Sequence, residues 1–499
     1  MIDSATMSSR LRALAPSACG LSADSRQIRV GDVFLAYPGD AHDGRSHIPS
    51  AIAQGAVAVL WEPDGHAWNA EDIPNLAVPG LKSAAAGLAA AWYGQPSQHL
   101  WMTGITGTNG KTSVAHWLSR AWTTLGSLTA TIGTLGNGFP GSLKGGSHTT
   151  PDAVSLQGLL ASYRDAGVHG VAMEVSSHGL AQGRAAEVAF DVAVLTNLTQ
   201  DHLDYHGDMA SYAAAKARLF TWPGLKWAVL NGDDELGARL ARQLRGGTTE
   251  VIRYGLRGGD LHAENLRADQ DGLRMDIVCP WGRGELASPL LGEFNAYNLL
   301  ATLGALLAGG VKLDDALTAL AKVESVPGRM QRVASVDPRL HELFAADEPT
   351  VIVDFAHTPD ALEKVLATLK PLAQGRLICV FGCGGGRDVA KRPLMGAVVA
   401  ARADHAIVTS DNPRNEDPSS ILDGILAGMP SGQEAVLDRR TAIRTAILSA
   451  SAADIVLLAG KGHETYQESL GVKTPFSDVE EAQAALAALH EQRKASASI

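Results

Sequence analysis

The chain has 499 residues and 45% hydrophobic content, too long for one hydrophobic core and composed like an ordinary globular protein, so roughly two to four domains are expected. Its formal net charge of -11 argues against nucleic acid as a partner, because backbone recognition needs clustered cations, whereas local Lys, Arg and N–H groups still suit small anions. Apolar runs are interrupted before the roughly 20 residues a membrane span needs, and Met1-Ile2-Asp3-Ser4 carries no secretory pattern, which points to the cytoplasm.

In chain order, short apolar runs at residues 33–37 and 56–61 and a helical pattern at 84–92 predict a small α/β domain. Residues 100–105 then read as a strand and 114–125 as a helix. Between them lies Thr106-Gly107-Thr108-Asn109-Gly110-Lys111-Thr112-Ser113, a glycine-rich turn ending in Lys-Thr at a helix start. Such a turn converges backbone N–H groups on an anion, adds the helix dipole, and offers Lys111 to terminal phosphates and Thr112 to Mg2+. Ile105 stands where the strict phosphate-loop pattern needs its first glycine.

Further buried-strand patterns follow at residues 170–175, 192–195 and 228–230, and helical ones at 296–308 and 313–323. Pro327-Gly328-Arg329 breaks the chain, and a second alternating series follows. Its strands fall at 351–355, 377–381, 406–409 and 455–459, with helices at 360–369, 392–401 and 419–426. Two doubly wound parallel sheets covered by helices are expected, and an α/β fold throughout. Cys19, Cys279, Cys379 and Cys383 lack paired metal spacing and read as buried free thiols, and the Ala/Ser-rich tail after Arg493 reads as disordered.

Ligands gather at the carboxyl ends of strands in such sheets, and the polar clusters fall there. They are Glu174 to His178, Thr196-Asn197 through Asp201-His202, Asp354 to His357, Gly382 to Asp388, Asp411 to Arg414, and Gly460 to Glu464. Glu174 and His202 lie where each can complete an Mg2+ shell beside Lys111 and Thr112, although histidine is a less usual partner for so hard an ion. Residues 382–388 imitate a dinucleotide fingerprint, but Arg387 replaces its final glycine, so presentation of Arg387 to an anion is the better reading. Arg414 follows a rigid Asn412-Pro413 turn and its planar fork suits a carboxylate, while Glu464 suits an ammonium group. Read from the residues alone, Lys216 is a solvated or salt-bridged lysine.

Together these residues resemble the Mur ligases, ATP-dependent amide-forming enzymes of peptidoglycan precursor synthesis. The resemblance runs through residues 107–112, Thr149-Thr150-Pro151-Asp152, 174–180, 201–207, 212–220, 292–298, 327–329 and 354–357. Asp411-Asn412-Pro413-Arg414 resembles the signature of the ligases that add meso-diaminopimelate, rather than L-lysine, as third peptide residue. The resemblance implies three domains: a UDP-substrate-binding domain at 1–98, a central ATP-binding phosphate-loop domain at 99–333 and a Rossmann-like amino-acid-binding domain at 334–499.

It also implies roles by position. Ser25, Asp40, Ala41 and His42 would bind the UDP end of UDP-N-acetylmuramoyl-L-alanyl-D-glutamate, and Thr149, Thr150, Ser176, Gln182 and Arg184 its muramoyl-dipeptide part. Gly107, Thr108, Asn109, Gly110, Lys111, Thr112, Ser113, Asn295, Arg329, Asp354 and His357 would handle ATP. Thr112, Glu174, His202 and a carbamylated Lys216 would surround Mg2+, with Lys111, Glu174, His202 and Lys216 as the catalytic set. Arg387, Asp411, Asn412, Pro413, Arg414, Gly460 and Glu464 would bind diaminopimelate. A cytoplasmic monomer acting only on small molecules is expected. Folylpolyglutamate synthase shares the architecture but leaves Asp24-Ser25-Arg26 and residues 411–414 unexplained. A regulatory GTPase would need an Asn-Lys-x-Asp motif that the sequence lacks, and a nucleotide-dependent scaffold would need no acceptor loops.

Overall fold

The computed structural model describes residues 3–39, 42–69, 73–146, 148–269, 272–334, 348–386 and 388–497. By internal contacts the chain forms two compact units, one built on residues 1–265, 275–286 and 296–322, the other on 266–274, 287–295 and 323–499.

The first unit opens with a four-stranded parallel sheet of Gly20–Ser22, Asp32–Ala36, Ala58–Trp61 and Asn75–Ala77 in sequential order. Its core joins Val33, Leu35, Ala58 and Leu60 to Leu81, Leu88 and Trp92 of the helix Leu81–Trp92. The larger sheet has eleven strands among the described residues. At its centre, Trp101–Thr106 pairs in parallel with Gly170–Glu174 on one side and Val192–Leu195 on the other. Every residue of Gly170–Glu174 and Val192–Leu195 is buried. That explains why both read as continuous apolar runs: helices cover a parallel sheet on both faces. The order makes Trp101–Thr106 a topological switch point, with successive connections leaving to opposite sides, and the loops after its carboxyl end line the crevice where ligands bind.

Three consecutive strands, Leu261–Asp269, Gly272–Cys279 and Gly282–Ser288, extend this sheet at one edge. They escape the apolar-run reading because Glu264, Arg267, Arg274 and Glu285 interrupt them.

In the second unit the sheet order is Gln331–Val333, Thr350–Asp354, Ile455–Ala459, Leu377–Phe381, His405–Val408, Glu434–Ala435. Gln331–Val333 is antiparallel to its neighbour and the remaining pairs are parallel. Separate clusters fill its two faces, one around Phe381, Met395 and Ile425, the other around Ile443, Ile447 and Leu486. The last helix runs Asp478–Ala497, into the tail expected to be disordered, whose residues 498 and 499 lie outside the described residues. Two of the four cysteines depart from the buried reading: Cys379 and Cys383 are buried, but Cys279 is half-buried and Cys19 exposed, and all four are free.

Candidate active site

The phosphate loop of the first unit is held from beneath by the strand next to it. Thr108 and Asn109 donate their backbone N–H groups to Asn197 O (2.9 Å) and Asn197 Oδ1 (3.0 Å), and Thr196 Oγ1 donates to Asn109 O (2.6 Å). Gly107 (φ +145°) and Gly110 (φ +86°) adopt backbone conformations that side-chain-bearing residues rarely take. A Cβ at the first would collide with Thr196 Oγ1, and at the second with Asn298 Oδ1. Thr196, Asn197 and Asn298 thus fix the loop's shape. The sequence shows polar residues there, but not which backbone groups they reach.

The 14-residue helix Lys111–Thr124 begins at Gly110 with no side chain capping it. An uncapped N-terminus on a glycine loop with a lysine at its first position fits a bound phosphate. Lys111 Nζ lies across the loop, donating to Gly107 O and Thr108 O at 2.9 Å each. Thr112 Oγ1 donates to Glu174 Oε2 at 3.0 Å. Thr134, which the sequence reading passed over, holds the same carboxylate: its N–H donates to Oε1 (2.8 Å) and its hydroxyl to Oε2 (3.2 Å). One buried carboxylate beside one hydroxyl suits Mg2+, which takes few protein ligands.

His202 sits in a left-handed conformation (φ +53°), with Nε2 3.4 Å from Asp201 Oδ2 and its ring 4.8 Å from that of His178. Among the described residues, no group of three or more His, Cys, Asp or Glu converges as on a metal. The structure therefore brings Thr112 and Glu174 together and places His202 with Asp201 and His178.

Lys216 departs from the solvated lysine read from the residues. It is 1% exposed on the helix Met209–Ala217, donates to Gly107 O at 2.8 Å, and lies over the Tyr212 ring, 4.4 Å from its centroid. Burial, with the nearby Lys111 charge adding to it, pulls its amine down to about 6. Tyr212 also reaches the loop, its hydroxyl 3.2 Å from Thr108 Oγ1.

The muramoyl-dipeptide residues inferred from resemblance form one hydrogen-bonded group. Thr150 Oγ1 donates to Glu174 O (2.9 Å) and accepts from Ser176 N (3.0 Å), while Ser176 Oγ caps its own short helix through Gly179 N. Thr149 Oγ1 lies 3.0 Å from Thr134 Oγ1, and Arg184 donates to Thr150 O (3.0 Å) and Gln182 Oε1 (2.7 Å). His148 is shifted down chiefly by burial, with the Arg184 charge adding to it. Ser25 is buried and His42 exposed. Asp40 and Ala41 lie outside the described residues.

In the second unit, Asp354 ends its strand buried, with Oδ2 accepting from Met330 N (2.7 Å) and Oδ1 from Ala356 N (2.8 Å). Burial pushes its carboxyl up against the opposing pull of Arg329, whose guanidinium lies 4.9 Å from the Phe355 ring centroid. His357 is lowered by burial, with Nδ1 2.8 Å from Phe355 O. Asn295 is buried and donates to Leu291 O at 2.8 Å.

The residues that the resemblance assigns to the amino acid follow His405–Val408 and Ile455–Ala459, the two strands that flank Leu377–Phe381. Asp411 accepts from Asn412 N (2.7 Å), and Asn412 Nδ2 donates to Glu464 Oε2 (2.7 Å). Arg414 (φ +53°) donates to Gly385 O at 2.7 Å, with Nε 3.9 Å from Glu468 Oε2. Its left-handed backbone, bracketed by Arg414 N to Glu468 O (3.0 Å) and Leu470 N to Arg414 O (2.6 Å), costs about 1–3 kcal/mol and aims the side chain back at residues 384–385. Beneath these loops Arg439, fully buried and paired with Asp478 at 2.7 Å, also donates to Ser410 O and Ala459 O, the carbonyls preceding Asp411 and Gly460. Arg387 lies outside the described residues.

Three family models match the chain: the catalytic domain of the Mur ligase family over residues 19–93, the Mur ligase middle domain over 105–306, and the Mur ligase glutamate ligase domain over 328–462. The chain is 52% identical over 473 residues to the UDP-N-acetylmuramoyl-L-alanyl-D-glutamate--2,6-diaminopimelate ligase of Chromobacterium violaceum, covering 94% of each chain. It is 50% identical to the Pseudomonas aeruginosa protein of the same name, covering 94% of this chain and 95% of that one. A solved structure with that name superposes at a TM-score of 0.67 with 36% identity over 95% of both chains. A phosphate loop at a parallel-sheet switch point, a buried glutamate beside it, and matches that span all but the chain's extremities make this three-domain α/β protein a member of the Mur ligase family.

Proposed function

We propose that this ligase joins meso-2,6-diaminopimelate to the D-glutamyl γ-carboxylate of UDP-N-acetylmuramoyl-L-alanyl-D-glutamate, converting ATP to ADP and phosphate. The observation that carries the reading is the Asn412–Glu464 hydrogen bond, which joins the loops after His405–Val408 and Ile455–Ala459 across the end of Leu377–Phe381, with Arg414 donating to Gly385 O beside it, in a chain half identical to ligases named for that amino acid. We place the domain junctions near residues 98 and 333, assign the reaction to the cytoplasm, where ATP is available, and take the active form to be a monomer.

A carboxylate has no adequate leaving group, so an amine cannot displace its oxygen directly. Transfer of the γ-phosphoryl group to a carboxylate oxygen gives an acyl phosphate and ADP. Attack by the amine then forms the amide, and phosphate and a proton leave. Lys111 stabilises charge on the moving phosphoryl group, and Asn295, Arg329, Asp354 and His357 contribute to nucleotide binding. Thr149, Thr150, Ser176, Gln182 and Arg184 hold the dipeptide, and Ser25 with the segment 40–42 the uridine end. Asp411, Asn412, Pro413, Arg414, Gly460, Glu464 and Arg387 receive diaminopimelate. Thr112, Glu174, His202 and a carbamate on Lys216 would hold Mg2+, which when bound neutralises phosphate charge. Release of ADP that requires both the UDP-dipeptide and diaminopimelate is the expected result; ADP release independent of the amino acid would refute the reading.

The carbamate itself is open to test. A neutral amine adds CO2 and loses a proton to give two oxygen ligands of the kind Mg2+ takes. The family position supports this at Lys216, and an amine near 6 is mostly neutral at pH 7, so the reacting form predominates above about 6 and declines below it. Lys216→Ala should be nearly inactive and partly restored by formate or acetate. Labelled 13CO2 should give the unmodified protein a carbamate signal that this variant lacks; equal spectra would remove the metal-bridging role.

A further inference from the structure

We infer that Lys461 is a positioning residue for the amino-acid acceptor, locking one oxygen of Glu464 so that the other faces the incoming ammonium group. The inference rests on the diaminopimelate reading and goes beyond it, because it concerns a residue that need not touch the substrate.

Lys461 is fully buried, although it carries a charged group and lies on a loop. A buried ammonium is costly unless every donor finds strong acceptors. Its acceptors are Asn412 Oδ1 (3.1 Å) and Glu464 Oε2 (3.0 Å), one on each of the two acceptor loops. The network closes on itself, because Asn412 Nδ2 also donates to Glu464 Oε2 (2.7 Å) and Glu468 N donates to Asn412 Oδ1 (2.9 Å). The geometry divides the Glu464 carboxylate in two. Oε2 takes two donors, while Oε1 receives no hydrogen bond among the described residues, on a side chain still 21% exposed. A carboxylate left to rotate presents both oxygens to water and must be ordered when the substrate arrives. Fixing one oxygen leaves the other as a pre-oriented acceptor and reduces the ordering that binding requires. Lys461 also ties the two loops to each other, so the spacing between the Asn412 turn and Glu464 is set before the amino acid binds.

The test is steady-state kinetics on the full chain with each substrate varied in turn. Lys461→Met keeps the aliphatic stem and removes the donors; Lys461→Gln retains an N–H donor on a shorter stem. Lys461→Met is expected to raise KM for meso-diaminopimelate at least tenfold while leaving KM for ATP and for the UDP-dipeptide within twofold, with Lys461→Gln intermediate. Because the lysine acts through Glu464, Lys461→Met combined with Glu464→Gln should be no worse than the poorer single variant. An unchanged diaminopimelate KM in a folded variant, effects that multiply in the double variant, or equal rises in all three KM values would each overturn the inference. Failure of both Lys461 variants to fold, judged by circular dichroism and thermal melting, would assign the lysine to stability and overturn it too. An unmodified enzyme whose ADP release ignores diaminopimelate would instead sink the underlying reading, so the two failures are separable.

Discussion

Replacing Lys111 with alanine is expected to reduce ligation by about 10²–10³-fold or more in kcat, roughly 3–4 kcal/mol of transition-state stabilisation, without unfolding the chain. The loss is expected to be large because, in the proposed mechanism, the lysine acts where charge moves. Its ammonium already lies over the loop, on Gly107 O and Thr108 O, and those backbone bonds are replaceable by water when the side chain is cut back. The loop itself is held by Thr196, Asn197 and the close approach of Asn298, none of which depends on Lys111. Single-turnover measurement of ADP formation, with thermal melting as the control for folding, checks this. Near-normal turnover by a folded variant would show that another group stabilises the phosphoryl charge.

The second large effect concerns the choice of amino acid. L-lysine lacks the distal carboxylate of meso-diaminopimelate, so under the proposed assignment it would not supply the carboxylate that Arg414 is proposed to bind. Discrimination of about ten-thousand-fold is expected where a site hydrogen-bonds a group that the analogue lacks. In the proposed assignment Arg414 receives that carboxylate; its side chain donates to Gly385 O and its backbone is pinned on both sides to residues 468–470. Arg414→Ala should therefore raise KM for diaminopimelate strongly and leave ATP affinity near normal, while narrowing the preference over lysine. Comparing kcat/KM for the two amino acids in both proteins decides the matter. Equal use of diaminopimelate and lysine by the unmodified enzyme would end this assignment.

Local chemistry and the periodicity of buried strands are legible in adjacent residues. The glycine turn ending in Lys111-Thr112 announces a phosphate site because glycine and a helix start are properties of neighbours in the chain. Val192–Leu195 and Ile455–Ala459 stand out because a strand buried on both faces must be apolar throughout. Glu174, Asp354 and the 411–414 and 460–464 clusters follow, since polar residues just after such strands fall at the sheet's carboxyl edge. A helical pattern over residues 212–220 is legible too, offset by three residues from the helix Met209–Ala217, but the fate of its lysine is not.

Which groups meet is settled by the folded chain alone. Thr134 reaches Glu174 across 40 positions, Asn197 holds Asn109 across 88, and Lys216 reaches Gly107 across 109. The burial that turns Lys216 from a solvated cation into a depressed amine is created by the loop and ring packed over it, and no property of Ala215-Lys216-Ala217 carries that information. The pairing of Lys461 with Asn412 and Glu464 has the same origin. Local sequence sets which conformations a segment prefers, whereas desolvation and hydrogen-bond partnership depend on strands far apart in the chain arriving side by side.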